Sequence, residues 1–180
     1  MKFKLVKSEN SYQGRAFNVR RDHLITPSGS TVQYDIIEHI GSVSIIPLDE
    51  NGQIYFVRQY RHAAEMDLLE LPAGTLEPGE LPLEAAAREV REEVGMAAGK
   101  LQEIGSFYLA PGYSTELMHV FLATGLSHQP LAPDEDEYLS VEKIPVELAF
   151  NLAESGQMQD AKSLAALFLA RPYILIQSDV

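Results

Sequence analysis

The chain of 180 residues carries 14 basic and 26 acidic side chains, a formal net charge of −12 with histidine neutral. Its 46% hydrophobic and 22% charged residues are typical of one folded domain and argue against intrinsic disorder, collagen or a low-complexity array. The acidic balance provides no basic surface for gripping the phosphates of DNA or RNA, so we expect no nucleic-acid partner.

Residue types that are absent restrict the function further. The chain has no cysteine, which excludes a disulfide framework, a thiolate metal site and a cysteine nucleophile. The amino terminus is polar where a signal peptide is apolar, and no apolar run approaches the length of a membrane span. We therefore predict a soluble, cytoplasmic protein that has no membrane partner.

Residues 1–40 predict a strand arm ahead of a main domain at 41–180. Six of the fourteen basic residues lie in the first 21 positions, where only one acidic residue occurs. Alternating apolar and polar residues over 3–5 and 31–36, with a turn signal at 27–29, indicate a short antiparallel meander. Simple edge strands would give the same pattern.

The segments after residue 40 predict strands interleaved with helices. Residues 42–46 and 54–57 predict two strands joined by the turn at 49–52, which together indicate a hairpin. Four further segments follow the periodicity of a strand (101–110 and 117–123) or of a helix (146–154 and 158–170). Such an alternation predicts a mixed α/β class.

Residues 79–95 predict an acidic helix. Pro82 suits its first turn and Gly95 suits its carboxyl-terminal cap. Its apolar residues recur at intervals of three and four, which predicts one buried stripe made of Leu83, Ala86, Ala87, Val90 and Val94. The same periodicity gathers Glu89, Glu92 and Glu93 on another face.

Carboxylates are concentrated around this helix. Residues 70–93 and 134–137 hold 11 of the 26 acidic residues. Like charges at helical spacing repel each other, and a divalent cation bound between them would make the arrangement favourable. Oxygen ligands without histidine or thiolate favour magnesium or manganese over zinc. The alternative interpretation is a solvated acidic face.

The acidic segment also follows a fixed spacing. It reads glycine (Gly74), five residues, Glu80, seven residues, Arg88-Glu89-Val90, one residue, Glu92-Glu93, one residue and Gly95-Met96. This spacing resembles the signature of the Nudix hydrolases without one departure. The resemblance implies the Nudix fold, an α/β/α sandwich with a mixed sheet, in which this segment binds divalent cations on a pyrophosphate.

The same resemblance assigns roles within the segment. Glu89 and Glu93 are expected to be the principal metal ligands, and the backbone carbonyl of Ala73 a further one. Glu92 and Glu93 are expected to act in catalysis, with Glu92 as another ligand or an acid behind the ligands, and Arg88 as an orienting partner. No covalent nucleophile is required, because Mg²⁺ or Mn²⁺ lowers the pKa of a bound water.

The flanks of the segment resemble the ADP-ribose pyrophosphatase branch of the family. Glu70-Leu-Pro-Ala-Gly74 precedes the signature, and Pro111 stands 15 residues after Met96, at about the distance of a proline that marks this branch. The resemblance implies hydrolysis of ADP-ribose to AMP and ribose 5-phosphate. By itself, Pro111 is more commonly explained as a turn between two strands, and its distance from the signature favours the branch.

Three residues outside the signature are candidates for substrate binding. Arg61 resembles a family position that contacts the substrate, and Arg58 is a second candidate, since a guanidinium group suits phosphate. Glu116 is a candidate for binding a ribose hydroxyl. Each also has a simpler interpretation, as a surface arginine or a solvent-facing strand residue.

The second acidic cluster, 134–137, lies between proline-containing and strand-like sequence, which places it on a loop. In the ADP-ribose branch this loop supplies a general base and an extra metal ligand. By position, Glu135 resembles the base and Glu137 the ligand. Four consecutive acidic residues are also typical of a solvated loop.

The resemblance further implies a homodimer, because the amino-terminal strands of this branch pair with a second subunit. Phe17, Arg20 and Arg21 are candidate contacts across that interface, although an isolated edge arm explains the pattern as well. Two other functions stay open. One is the hydrolysis of GDP-mannose or of a broad range of nucleoside-diphosphate sugars, and the other is a non-catalytic sensor that binds a nucleotide sugar.

Overall fold

The computed structural model of the protein describes residues 2–132 and 138–175. Within these ranges the chain forms ten strands and three helices. They belong to two compact units. The first contains the residues up to Gly41 together with Phe107–Met118, and the second contains Ser42–Ser106 and the remaining described residues from His119 onward.

The first unit contains an antiparallel sheet in the order β1-β2-β3. Its strands are β1 (Lys4–Gln13), β2 (Asn18–Ile25) and β3 (Thr31–Glu38). At the turn between β2 and β3, Gly29 adopts a φ of +89° and its N–H donates to the carbonyl of Thr26 at 2.9 Å. The antiparallel order of the three strands confirms the predicted meander. Glycine suits this turn because it reaches positive φ without steric cost.

The remaining strands form two sheets, in the orders β7-β4-β9-β8 and β10-β5-β6. They are β4 (Ser42–Pro47), β5 (Gln53–Arg61), β6 (Met66–Glu70), β7 (Ala73–Thr75), β8 (Met96–Tyr108), β9 (Leu117–His128) and β10 (Leu139–Pro145). The helices are α1 (Pro82–Glu93), α2 (Val146–Glu154) and α3 (Ala161–Leu175). Both α1 and α3 pack on β4. The predicted α/β/α sandwich with a mixed sheet is therefore confirmed.

The predicted hairpin of β4 and β5 is wrong. The turn at 49–52 forms, since the N–H of Gln53 donates to the carboxylate of Asp49 at 2.9 Å. Beyond a single bridge between Leu48 and Ile54, however, the two strands enter different sheets. Every residue of β4 is buried, and this strand lies between β7 and β9 instead of pairing with β5. The turn residues specify the local reversal but not the later strand partners.

The predicted acidic helix is confirmed as α1. Pro82 occupies its first position, and the N–H of Leu81 donates to the carboxylate of Glu84 at 3.1 Å. The helix ends at Glu93, and Gly95 follows with a φ of +72°. A residue with a side chain would be strained at that angle, which explains the glycine after the helix.

The buried face of α1 differs from the predicted stripe. Leu83 is 52% exposed and Ala87 is only partly buried. The residues that pack against Val43 and Ile45 of β4 are Ala85, Ala86, Val90 and Val94. The prediction placed only apolar residues inside, whereas Glu89 and Glu93 also lie on the covered side, with 6% and 4% of their surface exposed.

The helix α3 begins three residues later than the sequence pattern indicates. Asp160 is its N-cap, since the N–H of Ser163 donates to the Asp160 carboxylate at 3.0 Å. In the ranges 2–132 and 138–175, no helix is long and apolar enough to cross a membrane. The cytoplasmic location stays a prediction.

Replacing Val90 with alanine tests the corrected orientation of α1. Val90→Ala opens space beside Val43 and Ile45 and should lower the free energy of unfolding by about 2 kcal/mol. The matched variant Leu83→Ala removes an exposed side chain and should change it by less than about 0.5 kcal/mol. Urea denaturation followed by circular dichroism measures both values. A larger loss for Leu83→Ala would support the original stripe.

Candidate active site

The acidic segment is held together by the contact between β7 and α1. Pairing of β7 with β4 places Ala73 opposite Ser44 and Gly74 opposite Val43. The N–H of Ala73 then donates to Oε2 of Glu93 at 3.0 Å. Two of the predicted metal ligands, Ala73 and Glu93, are therefore brought together, because the short strand faces the last turn of the helix.

Position 74 requires glycine because the Glu89 carboxylate lies very close to the backbone there. A Cβ atom at this position would lie 1.8 Å from Oε1 of Glu89 and 2.0 Å from its carboxyl carbon. No heavy atom tolerates such a distance, so any side chain at position 74 would displace the carboxylate. The Glu89 carboxylate thus lies directly against the backbone of β7, one helical turn from Glu93.

Arg88 binds three carboxylates of the segment. Its Nε and Nη2 donate to the two oxygens of Glu80, both at 2.9 Å, and Nη1 donates to Glu89 at 2.6 Å and to Glu92 at 2.9 Å. A further bond joins Nη2 to the carbonyl of Thr75 at 3.2 Å. Hydrogen bonding to Glu80 is the main reason why the pKa of Arg88 lies above its ordinary value. Arg88 therefore orients the segment, as the resemblance implies.

The oxygen atoms around Glu89 and Glu93 fit a divalent cation. In the described ranges, no three acidic or histidine side chains converge into a complete metal cluster. The groups that do lie together are two buried carboxylates, which are hard oxygen donors, and the backbone of β7. Two buried carboxylates of like charge are costly, so positive charge beside them is favourable. A magnesium-like ion that keeps part of its water shell suits such a partial donor set.

Arg61 lies at the end of β5 and is held by Glu70 at the end of β6. Its Nε and Nη2 donate to the two carboxylate oxygens of Glu70 at 2.8 and 2.7 Å. The pKa of Arg61 lies above its ordinary value, mainly because of these hydrogen bonds. Burial lowers this pKa, and the negative charges of Glu70 and Glu93 raise it further. The contribution from Glu93 places Arg61 within the electrostatic reach of the acidic helix.

Arg58 has different surroundings. Its Nε donates to Glu142 of β10 at 2.5 Å. Arg58 and Arg61 are three residues apart on one strand, so their side chains leave opposite faces of the sheet. The structure does not bring the two predicted substrate-binding arginines together, and the role of Arg58 stays a prediction.

Comparison with known proteins agrees with this geometry. The family model described as the NUDIX domain matches residues 38–167. The chain belongs to the Nudix family. An ADP-ribose pyrophosphatase from Bacillus subtilis (strain 168) is 36% identical over 166 residues, which cover 91% of this chain and 90% of that protein.

Two further relatives extend the comparison. An ADP-ribose pyrophosphatase from Mycobacterium tuberculosis is 38% identical over 168 residues, covering 92% of this chain and 81% of that protein. The crystal structure of an ADP compounds hydrolase matches with a TM-score of 0.88 and 29% identity, covering 100% of this chain and 98% of that one. The protein is a Nudix hydrolase, and members of this family generally use divalent metal ions.

Glu116 of this Nudix hydrolase lies in the first compact unit. Its N–H donates to Oγ of Ser114 at 3.2 Å, and its carboxylate lies 4.0 Å from Nδ1 of His39. The His39 nitrogen accepts a hydrogen bond from the N–H of Gly41 at 3.1 Å. Glu116 is thus a partly buried carboxylate beside a histidine, and its role toward ribose stays a prediction. Glu135 and Glu137 lie outside the described residues.

Two charged residues beside Arg61 were not predicted as part of a site. Glu70 is almost completely buried and interrupts the apolar run 68–71, a signal that a carboxylate has a cationic partner inside the fold. Its second partner, Lys162 of α3, is 92 residues away in sequence. No local pattern points from one to the other, so only the folded chain shows this contact.

Gly74→Ala tests the close contact between β7 and Glu89. The added methyl group should push the Glu89 carboxylate away and lower hydrolysis or the apparent affinity for Mg²⁺ by about 10- to 100-fold, the usual cost of disturbing a ligand's support. Titration of activity with MgCl₂ measures the effect. Gly112→Ala is the matched control, because a Cβ atom there meets nothing within 4 Å. An unchanged magnesium titration for Gly74→Ala would show that Glu89 does not need this position.

Proposed function

We propose that this Nudix hydrolase cleaves the pyrophosphate bond of ADP-ribose and releases AMP and ribose 5-phosphate. The observation that carries the proposal is the packing of Glu89 and Glu93 against β7, with Arg61 within reach of the Glu93 charge. Carboxylates for a cation beside an arginine for phosphate are the groups that pyrophosphate hydrolysis requires. The Pro111 spacing and the names of the relatives support ADP-ribose as the substrate.

We propose Mg²⁺, or Mn²⁺, as the cofactor. Glu89, Glu93 and the carbonyl of Ala73 would hold it, with Glu137 as an additional ligand. When bound, the metal supplies charge that polarises a phosphoryl oxygen and lowers the pKa of a bound water.

The protein groups then have separate tasks. Arg88 keeps Glu89 and Glu92 in place through its hydrogen bonds. Arg61 binds the phosphate or ribose-phosphate end of the substrate, because its guanidinium is oriented by Glu70 and partly exposed.

The other predicted site residues enter the proposal at the positions given by the resemblance. Glu92 and Glu93 act at the metal side of the reaction, and Glu135 takes the proton of the attacking water as general base. Glu116 binds a ribose hydroxyl, and Arg58 is a second phosphate-binding candidate.

A substrate panel tests the proposed function. The chain is incubated with ADP-ribose, GDP-mannose, ADP-glucose or a nucleoside triphosphate, each with Mg²⁺ or with chelator, and a phosphatase converts the monophosphate products to free phosphate. We expect cleavage that requires Mg²⁺ and favours ADP-ribose. Equal cleavage of several sugars would indicate a broad nucleoside-diphosphate-sugar hydrolase. Tight binding without cleavage would indicate a sensor.

Glu93→Gln is the inactive reference for this panel. Turnover should fall by about 100-fold or more, because the amide is a poor ligand for the cation. Folding should be preserved, since the buried amide oxygen still accepts the hydrogen bond from Ala73. The matched control is Glu84→Gln, an exposed position in the first turn of α1, which should keep full activity. Wild-type turnover by Glu93→Gln would contradict the metal assignment.

We also propose that the enzyme is a homodimer formed through the β1-β2-β3 sheet. This sheet and its turns expose large apolar side chains: Phe3, Leu5, Val6, Tyr12, Phe17 and Tyr34. Phe3 packs against Tyr34 and Tyr12 against Phe17. Exposed apolar side chains in such number are typical of an interaction site, and a second copy would cover them. Arg20 and Arg21 are bound within their own sheet, to Asp22 and Asp35, at 3.1 and 2.8 Å.

Light scattering tests the dimer. We expect a mass of about twice the chain mass of 20.0 kDa. The variant Val6→Asp, which adds a charge to the exposed face, should shift the population toward the single-chain mass. A wild-type mass equal to one chain at micromolar concentration would refute the proposal.

A further inference from the structure

We propose that Lys162, at the amino end of α3, is a positioning residue for Arg61 and acts through the buried carboxylate of Glu70. This inference rests on the proposed function, in which Arg61 binds the phosphate or ribose-phosphate end of the substrate. It adds a residue outside the Nudix signature to the substrate-binding machinery.

Glu70 is a buried charge that needs cations. Only 1% of its surface is exposed, and a carboxylate at such a position is strongly destabilising unless it is paired and hydrogen-bonded. Arg61 binds it through both carboxylate oxygens, and Lys162 donates to Oε2. The single negative charge of Glu70 is therefore shared between two cations.

The two cations have different environments. The side chain of Lys162 is 13% exposed, whereas that of Arg61 is 42% exposed. Arg61 uses two of its five N–H groups on Glu70, and within residues 2–132 and 138–175 the other three have no protein acceptor. One edge of the guanidinium is fixed, and the other edge is available to an anionic ligand.

Lys162 is itself fixed by the cap of α3. Its Nζ lies 2.9 Å from Oδ2 of Asp160, the N-cap residue, which also accepts from the Ser163 hydroxyl at 2.5 Å. The N–H of Leu71, next to Glu70, donates to that hydroxyl at 2.7 Å. The start of α3 is thus tied to Glu70 and to the next residue, Leu71, which holds Lys162 beside the Glu70 carboxylate.

Charge sharing gives Lys162 a defined effect on substrate binding. With Lys162 present, Arg61, Lys162, Glu70 and Asp160 carry two positive and two negative charges. Loss of the lysine charge leaves a net negative charge beside Arg61. Of the two cations that bind Glu70, Arg61 alone then remains. The attraction of Arg61 for a phosphate becomes weaker, and the geometry of the metal-binding carboxylates on α1 is unaffected.

The experiment compares Lys162→Met with Lys162→Arg and with Lys143→Met, a lysine on the exposed side of β10 that lies over the Tyr55 ring. Steady-state rates with ADP-ribose and saturating Mg²⁺ should show a KM about 10-fold higher for Lys162→Met, with kcat within about twofold of the wild type. Lys162→Arg keeps the charge and should restore KM, and Lys143→Met should match the wild type. A fall in kcat with an unchanged KM, or an unchanged KM and kcat, would overturn the inference.

A double-mutant cycle separates action through Arg61 from general damage. If Lys162 acts through Arg61, adding Lys162→Met to Arg61→Ala should change KM by less than about twofold. A KM increase in the double variant equal to the product of the two single-variant increases would show that Lys162 acts independently of Arg61. If Lys162→Met unfolds at the assay temperature, Lys162→Gln is used in its place, with thermal unfolding recorded for each variant.

The outcomes also separate this inference from the proposed function. A wild-type enzyme that neither binds nor cleaves ADP-ribose refutes the proposed function and the inference that rests on it. A wild-type enzyme that cleaves ADP-ribose while the Lys162 variants keep its KM refutes the inference alone.

Discussion

The structure depends on holding two carboxylates of one helix face against the backbone of β7. Glu89 and Glu93 are both buried, and burial of like charges one turn apart is unfavourable. The chain offsets this cost locally. Gly74 lacks the Cβ atom that would exclude Glu89, and the N–H of Ala73 donates to Glu93. A glycine without a Cβ atom and a backbone N–H donor therefore accommodate the two carboxylates that the proposed function assigns to the cation.

The strand β4 connects this arrangement to the second charge network. Its residues are buried throughout, it pairs with β7, and both α1 and α3 pack on it. The acidic residues on α1 and the Lys162–Asp160 pair at the start of α3 are consequently placed by the same central strand. A fully buried apolar strand is a rigid reference for polar groups, since close packing allows little adjustment. The proposed substrate-binding and metal-binding groups thus depend on one core.

The features that the sequence predicts well are local ones. Pro82 and Gly95 define α1 because capping and positive φ involve only neighbouring residues. The spacing from Gly74 to Met96 identifies the family for the same reason. The buried face of α1 was mispredicted because acidic residues were assigned to the outside. The partners of β4 and the contact of Lys162 with Glu70 depend on distant segments, which no turn or periodicity specifies.

The arginines of this enzyme show how hydrogen bonding separates structural from binding roles. Arg88 uses all five N–H groups on Glu80, Glu89, Glu92 and the carbonyl of Thr75. It has no donor left for a substrate, so its contribution is to hold the acidic segment. Among the described residues, Arg61 donates from only one edge of its guanidinium, to a carboxylate that Lys162 also neutralises. The same residue type is therefore a fixed support at position 88 and, in the proposed function, an oriented anion receptor at position 61. The difference follows from how many of its N–H donors the protein itself satisfies.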